Sequence, residues 1–230
     1  MNISEFDQFA DEYHQMHAQN IAVTGETPEY FARYKINILH GLVDRSKLKV
    51  DRIVDFGSGI GASIPWLHNF FPEAKIFGAD VSARSLDVAR SRFPQIAEYL
   101  LIGDDRILPL DTSRVDVAFS ACVFHHIPHD EHVRWLRELR RVVRPGGMLC
   151  IFEHNPLNPL TIRAVNTCPF DANAVLLRAG QLAERCREAG WVAPRIRYHL
   201  FFPHALAALR PLEPYLTWLP LGAQYSVTAT

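Results

Sequence analysis

A chain of 230 residues is long enough to bury the core of one α/β domain and too short for two ordinary ones, so residues 1–230 are read as a single domain. With 24 Lys+Arg against 25 Asp+Glu the formal net charge is -1, which provides no broad attraction to a phosphate backbone or an anionic bilayer and argues against a nucleic-acid partner. The four cysteines (Cys122, Cys150, Cys168, Cys186) contain no C-x-x-C pair, so they fit free thiols of a reducing cytosol rather than a zinc ribbon or redox motif. The N-terminal MNISEFDQFADEY lacks the basic and apolar regions of a signal peptide, and no later apolar run reaches the roughly 18 residues of a membrane span. A cytoplasmic protein without integral membrane association is therefore expected.

Residues 1–50 are predicted as a helical cover: Ile3, Phe6, Phe9 and Tyr13 recur at helical spacing, and from Pro28 so do Phe31, Tyr34, Ile38 and Leu42. From Arg52 the pattern becomes apolar strand, glycine turn, helix, and then repeats. RIVDF leads through GSGIG into a helix around Ile64, Leu67 and Phe71 that ends at Pro72; KIFGAD leads into a helix capped by Ser82 and ended by Pro94. YLLIG and VDVAFS read as further strands. DEHVRWLRELRRVV is amphipathic through Val133, Leu136, Leu139 and Val143, and the turn RPGG then leads into strand MLCIFE. Beyond the Pro- and Asn-rich HNPLNPLT, the segment QLAERCREAG reads as a helix, followed by strand-like RIRYHLFF and QYSVTAT, with PHALAALRPLEPYLTWLPLG too long for a tight hairpin loop between them. The alternation predicts an α/β fold: a Rossmann-like, doubly wound, mostly parallel sheet over 51–153, with acceptor-side segments and a C-terminal antiparallel strand over 154–230.

The sharpest motif is Asp55-Phe56-Gly57-Ser58-Gly59-Ile60-Gly61 between a strand and a helix, where glycines permit a tight turn and close approach to a ligand. Its G-x-G-x-G spacing is shorter than the G-x-G-x-x-G that cradles a dinucleotide pyrophosphate. Asp80, closing the next strand, is placed to accept hydrogen bonds from ribose hydroxyls, and Gly103-Asp104-Asp105 follows the third strand, where a carboxylate can meet an adenine amino group. A nucleoside-containing ligand is implied.

Through VDFGSGIG, GADVS, GDDRILPL, VDVAFSACVFHHI and LRRVVRPGGMLCIFE, the chain resembles the class I S-adenosylmethionine (SAM)-dependent methyltransferases of the small-molecule group. The resemblance implies that Asp55, Gly57, Ser58, Gly59 and Gly61 surround the methionine part of SAM, that Asp80 holds the ribose, and that Val81, Asp104 and Asp105 frame the adenine. The tail from Glu153 resembles a bacterial subgroup that accompanies surface glycan or glycolipid assembly, implying a small-molecule or glycolipid-type acceptor methylated at O or N.

Methyl transfer is an in-line displacement in which alignment does much of the work, and a base is needed only when the acceptor carries a proton to lose. Candidates for that base are His125, His126 and His154, beyond the fourth and fifth strands, with Glu153 and Asn155 beside them. Each histidine could equally be a structural hydrogen-bonder. The spacing of His, Asp and Glu shows no recognisable ligand set, so no metal is expected. Arg140, Arg141 and Arg144 suit either a phosphate site or solvated surface. Phe202, Tyr215 and Trp218 suit either core or an acceptor pocket. Two rivals to the enzyme reading are a nicotinamide-dependent short-chain reductase, whose Tyr-x-x-x-Lys is absent, and a SAM-binding protein without activity.

Overall fold

The computed structural model describes residues 21, 24–171 and 173–230; the helix predicted through Ile3, Phe6, Phe9 and Tyr13 lies outside them. The first long element is α1 (Pro28–Ser46), started by Thr27, whose side chain accepts from the Tyr30 N–H, and ended by Lys47 in the left-handed region at φ 54°. Its buried stripe runs through Ala32, Ile36, Leu39 and Val43, one step round the helix from the face read in the sequence. Phe31, Tyr34, Ile38 and Leu42 form a half-buried flank instead. The reason is a second partner: the Tyr34 hydroxyl donates to Glu213 at 3.1 Å, in a segment the sequence does not pair with this helix.

The predicted strands appear as β1 (Arg52–Phe56), β2 (Lys75–Asp80), β3 (Glu98–Leu101), β4 (Val115–Ala121) and β5 (Val143–His154), separated by α2 (Ile64–Phe70), α3 (Ala83–Arg92) and α4 (His132–Val142). Ser82 caps α3 by accepting from Ser85 N–H. RPGG does not precede β5 as a separate turn. It bulges within the strand, so that Val115 pairs with Val143 but Val117 already pairs with Met148. The end of HNPLNPLT opens a helix that no apolar period announces, α5 (Pro159–Asn166), because the Asn158 side chain accepts from the N–H groups of Leu160 and Thr161 and Pro159 sits at the first helical position. Next come α6 (Ala179–Glu188), β6 (Arg195–His199), a 3-10 helix (His204–Leu212), α7 (Glu213–Leu216) and β7 (Gln224–Ala229). RIRYHLFF is strand only as far as His199.

The seven strands lie in the order β3-β2-β1-β4-β5-β7-β6. The ladders are parallel except those of β7, which runs antiparallel between β5 and the edge strand β6. Both faces are covered, hence the continuous apolar runs in β1 and β4. On one face Ile36, Leu39, Ile64 and Leu67 pack on Ile53, Phe119 and Phe152; on the other Trp135, Leu136, Leu139 and Leu182 pack on Val54, Ala118 and Ile151. The strand order reverses between β1 and β4, which opens a crevice beyond their carboxyl ends. No described helix is long and apolar enough to cross a membrane.

Candidate active site

The crevice is built by the loop after β1. Gly57 and Ser58 donate their N–H groups to the Ala79 carbonyl at 2.8 and 3.1 Å, folding the loop over the end of β2. Gly57 has φ +74°, and a Cβ there would lie 2.3 Å from Val123 Cγ2, so only glycine lets the loop close against the segment following β4. Gly59, at φ +51°, differs: a Cβ would meet nothing within 4 Å, and this stretch of backbone faces open space. Gly61 N–H closes the turn on the Ser58 carbonyl at 2.9 Å.

Two carboxylates flank the loop. Asp80 accepts from Gly59 N–H at 2.8 Å and from Ser82 N–H at 2.9 Å, so it holds the loop and caps α3 before it meets any ligand. Replacing it would therefore disturb the loop and the start of α3 as well as any ligand contact. Asp55 Oδ2 and Ser58 Oγ are buried without hydrogen-bond partners. Burial, reinforced by the Asp80 charge, pushes the Asp55 carboxyl up to about 7. Val81 is half-buried, and Asp104 and Asp105 are exposed in the turn that follows β3.

Beyond β4 and β5 the three candidate histidines come together, with His125 ring centroids 4.1 Å from His126 and 5.1 Å from His154. Glu153 accepts from the N–H groups of Val123 and Phe124 at 2.9 and 2.7 Å and lies 2.6 Å from His125 Nδ1. It is thus committed to holding the FHHIP turn. His125 Nε2 points toward Asp171 Oδ1 at 3.5 Å without hydrogen-bond geometry, and His126 Nε2 is 3.3 Å from the same oxygen. Burial opposes charge on His125, but Glu153 and Asp171 outweigh it and raise the imidazole to about 10. His126 is lowered, chiefly by burial. His154 falls to about 4 through burial and the neighbouring His125 charge. One imidazolium therefore sits between two neutral histidines.

Three contributors escaped the sequence reading. Asp171 arrives in a one-turn 3-10 helix (Pro169–Asp171) after α5, with no motif around it. Lys35 is buried on α1 with no carboxylate pairing its amine among the described residues, and its charge is felt at Asp55, Cys122 and His154. Its place within the apolar stripe of α1 was the available signal. Gln224, opening β7, reaches Cys122 Sγ through Nε2 at 3.6 Å while its Oε1 is buried without a partner. Asn155 instead ties down the chain before β7, donating to the carbonyls of Pro220 and Gly222. The arginines serve structure: Arg141 pairs with Glu138 and donates to the Leu108 and Leu110 carbonyls, and Arg144 pairs with Asp116. Tyr215 and Trp218 are not core, being 76% and 72% exposed.

Residues 54–151 match a family described as a methyltransferase domain. Over 165 residues the chain is 32% identical to trans-aconitate 2-methyltransferase of Azoarcus sp., covering 72% of this chain and 59% of that one. It is 29% identical over 133 residues to malonyl-[acyl-carrier protein] O-methyltransferase of Hahella chejuensis, covering 57% and 47%. It is also 29% identical over 126 residues to the phthiotriol/phenolphthiotriol dimycocerosates methyltransferase of Mycobacterium leprae, covering 55% and 46%. The chain spans about half the length of these curated relatives. In fold it resembles a SAM-dependent methyltransferase of Thermotoga maritima, described as a possible histamine N-methyltransferase, with TM-score 0.66, 21% identity and coverage of 99% and 98%. Fold, glycine loop and family match together define a class I methyltransferase domain whose methyl donor is S-adenosylmethionine.

Proposed function

We propose that the chain methylates an oxygen of a small hydroxylated or glycolipid-type acceptor. The observation that carries this reading is the pairing of open backbone at Gly59 with the unpartnered buried atoms Asp55 Oδ2 and Ser58 Oγ, at the same end of the sheet as two neutral histidines beyond β4 and β5. Buried polar atoms without partners are costly in a folded protein and fit the polar edge of a bound ligand. Asp55, Gly57, Ser58, Gly59, Gly61 and Asp80 would hold the methionine and ribose parts of the donor, with Val81, Asp104 and Asp105 along its adenine. Bound there, SAM supplies an electrophilic methyl group on a sulfonium. The protein's part is to align the acceptor, exclude water and accept one proton.

His125 cannot take that proton, since its own is held between Glu153 and Asp171. His154 and His126 are held neutral and suit the role, while His125 positions them. An acceptor with an apolar portion is supported by the exposed residues Leu206, Leu209, Leu212, Tyr215, Trp218 and Leu221. Leu209 and Leu212 stand at the three-residue repeat of a 3-10 helix, beyond a kink at Leu206.

Labelled SAM offered with hydroxyl, carboxylate and amine acceptors tests the reading, with donor binding followed separately by calorimetry. Label is expected on oxygen, and His154→Asn should lower kcat roughly 10²–10⁴-fold with donor affinity kept. Because His154 is depressed to about 4, activity should be level through neutrality and fall only as pH drops toward that value. Transfer to amines alone, or unchanged kcat in both His154→Asn and His126→Asn, would refute it.

A further inference from the structure

The triad His125, His126 and Asp171 has an arrangement that the methyl-transfer chemistry does not require. Each residue offers one ligand atom, and these atoms lie within 4.8 Å of one another. Asp171 Oδ1 is 3.5 Å from His125 Nε2 and 3.3 Å from His126 Nε2. When bonds to an ion are about 2.0–2.1 Å long and the geometry is tetrahedral, ligand atoms stand roughly 3.3–3.4 Å apart. The observed spacings match such an edge. His125 Nε2 makes no hydrogen bond although its side chain is only 1% exposed, so a buried ring nitrogen is aimed at this point and left without a partner.

The rest of the histidine is held as a metal ligand's would be. Glu153 Oε2 lies 2.6 Å from His125 Nδ1, while Glu153 Oε1 is anchored by two backbone N–H groups. The imidazolium would give up its Nε2 proton when an ion binds, and a carboxylate accepting from Nδ1–H fixes the tautomer whose Nε2 lone pair then faces the ion, as outer carboxylates do around bound metals.

We propose that His125, His126 and Asp171 form a binding site for one divalent transition-metal ion, with Glu153 orienting His125 from outside. Two imidazoles and one carboxylate select a borderline ion such as Zn²⁺ or Co²⁺ over Mg²⁺ or Ca²⁺, which prefer oxygen ligands. A fourth coordination position is left for water or an acceptor oxygen, whose proton the ion would make easier to lose. That last role rests on the methyl-transfer reading of the preceding section, with His154 alone as its base once His126 holds the ion; the binding of the ion does not.

The test uses the untagged full chain, stripped with chelator and titrated with Co²⁺ and Zn²⁺ in separate calorimetric and visible-absorption experiments. One equivalent should bind at micromolar or lower concentration, with the Co²⁺ ligand-field bands of a four- or five-coordinate nitrogen and oxygen site. Asp171→Asn and His126→Gln should each weaken binding at least 100-fold, and Glu153→Gln 10–100-fold. His129→Gln, which changes a neighbouring exposed histidine outside the triad, should bind like the parent. SAM affinity, measured in parallel with and without metal, reports on the donor site alone and confirms that each variant is folded. The proposal is overturned if no stoichiometric ion binds at 100 µM metal, or if folded Asp171→Asn and His126→Gln retain parental affinity.

Discussion

Asp116 and Asp55 are both buried carboxylates at opposite ends of adjacent strands, and they live in opposite conditions. Asp116, near the amino end of β4, accepts from the N–H groups of Asp51 and Arg52 at 2.8 Å each and pairs with Arg144. Burial raises its carboxyl but these partners outweigh it and hold the pKa below the ordinary range. Asp55, near the carboxyl end of β1, keeps an oxygen without a partner, and burial with the Asp80 charge drives it up to about 7. The pattern extends beyond the pair. The buried unpartnered atoms among the described residues belong to Asp55, Ser58, His125 and Gln224, all at the carboxyl end of the parallel strands. Polar groups at one end close the sheet; those at the other are left open, at a cost in stability, where a ligand can complete them.

The comparison breaks most visibly at Asp116. Asp116→Ala leaves two strand N–H groups and a guanidinium without their acceptor, and should cost about 3–5 kcal/mol in denaturant unfolding while donor affinity in the folded fraction is unchanged. A loss below about 1 kcal/mol would mean the amino end is not held this way. Next in size is a contrast within the glycine loop. Gly57→Ala should destabilise by roughly 2–4 kcal/mol because its Cβ runs into Val123, whereas Gly59→Ala should cost only about 1–2 kcal/mol of backbone strain yet weaken SAM binding at least tenfold. Equal stability of the two variants would refute the assignment of Gly59 to the ligand-facing side.

Asp55→Asn is a smaller change and sharpens the central pair. Removing a charge that burial already disfavours should leave stability unchanged or slightly higher at pH 8, while calorimetry shows SAM affinity falling by about tenfold. The smallest expected effect comes from His199, a carboxyl-end group that does have a partner, 2.8 Å from Ser226 Oγ. Burial, helped by Arg197, lowers it to about 4. Between that value and the ordinary histidine pKa, roughly 6.5, the unfolded chain binds a proton that the folded chain does not, so stability must fall as pH falls. Urea titrations at pH 7 and pH 5 should show His199→Asn losing on the order of 2 kcal/mol less than the parent over this interval, the depressed His154 adding its own loss in both chains. Identical pH dependence in the variant would remove His199 from this account.

The periodicity of residues 51–153 was enough to place β1 to β5 and the helices between them, because each strand is buried on both faces and each turn carries glycine, proline or a capping serine. It misled at α1, where Phe31 and Tyr34 looked like the inner face. The half-buried position of Tyr34 depends on Glu213 and His199, which reach it only through tertiary folding. α5 was hidden because its signal is a cap and a proline rather than an apolar period.

By itself, the sequence determined the alternation of strand and helix, the glycine loop at Gly57 to Gly61 and the acids at Asp55 and Asp80, since spacing along one βαβ unit places all of them. It also named His125, His126 and His154, but as equals. Only the tertiary structure separated them, by setting Glu153 and Asp171 on either side of His125 and leaving the other two rings neutral. Asp171 belongs to no motif and meets the histidines only because the chain after α5 folds back over the end of the sheet. A pKa, or a ligand set for an ion, depends on distances of a few ångströms between segments far apart in the chain, and local pattern carries no record of those distances.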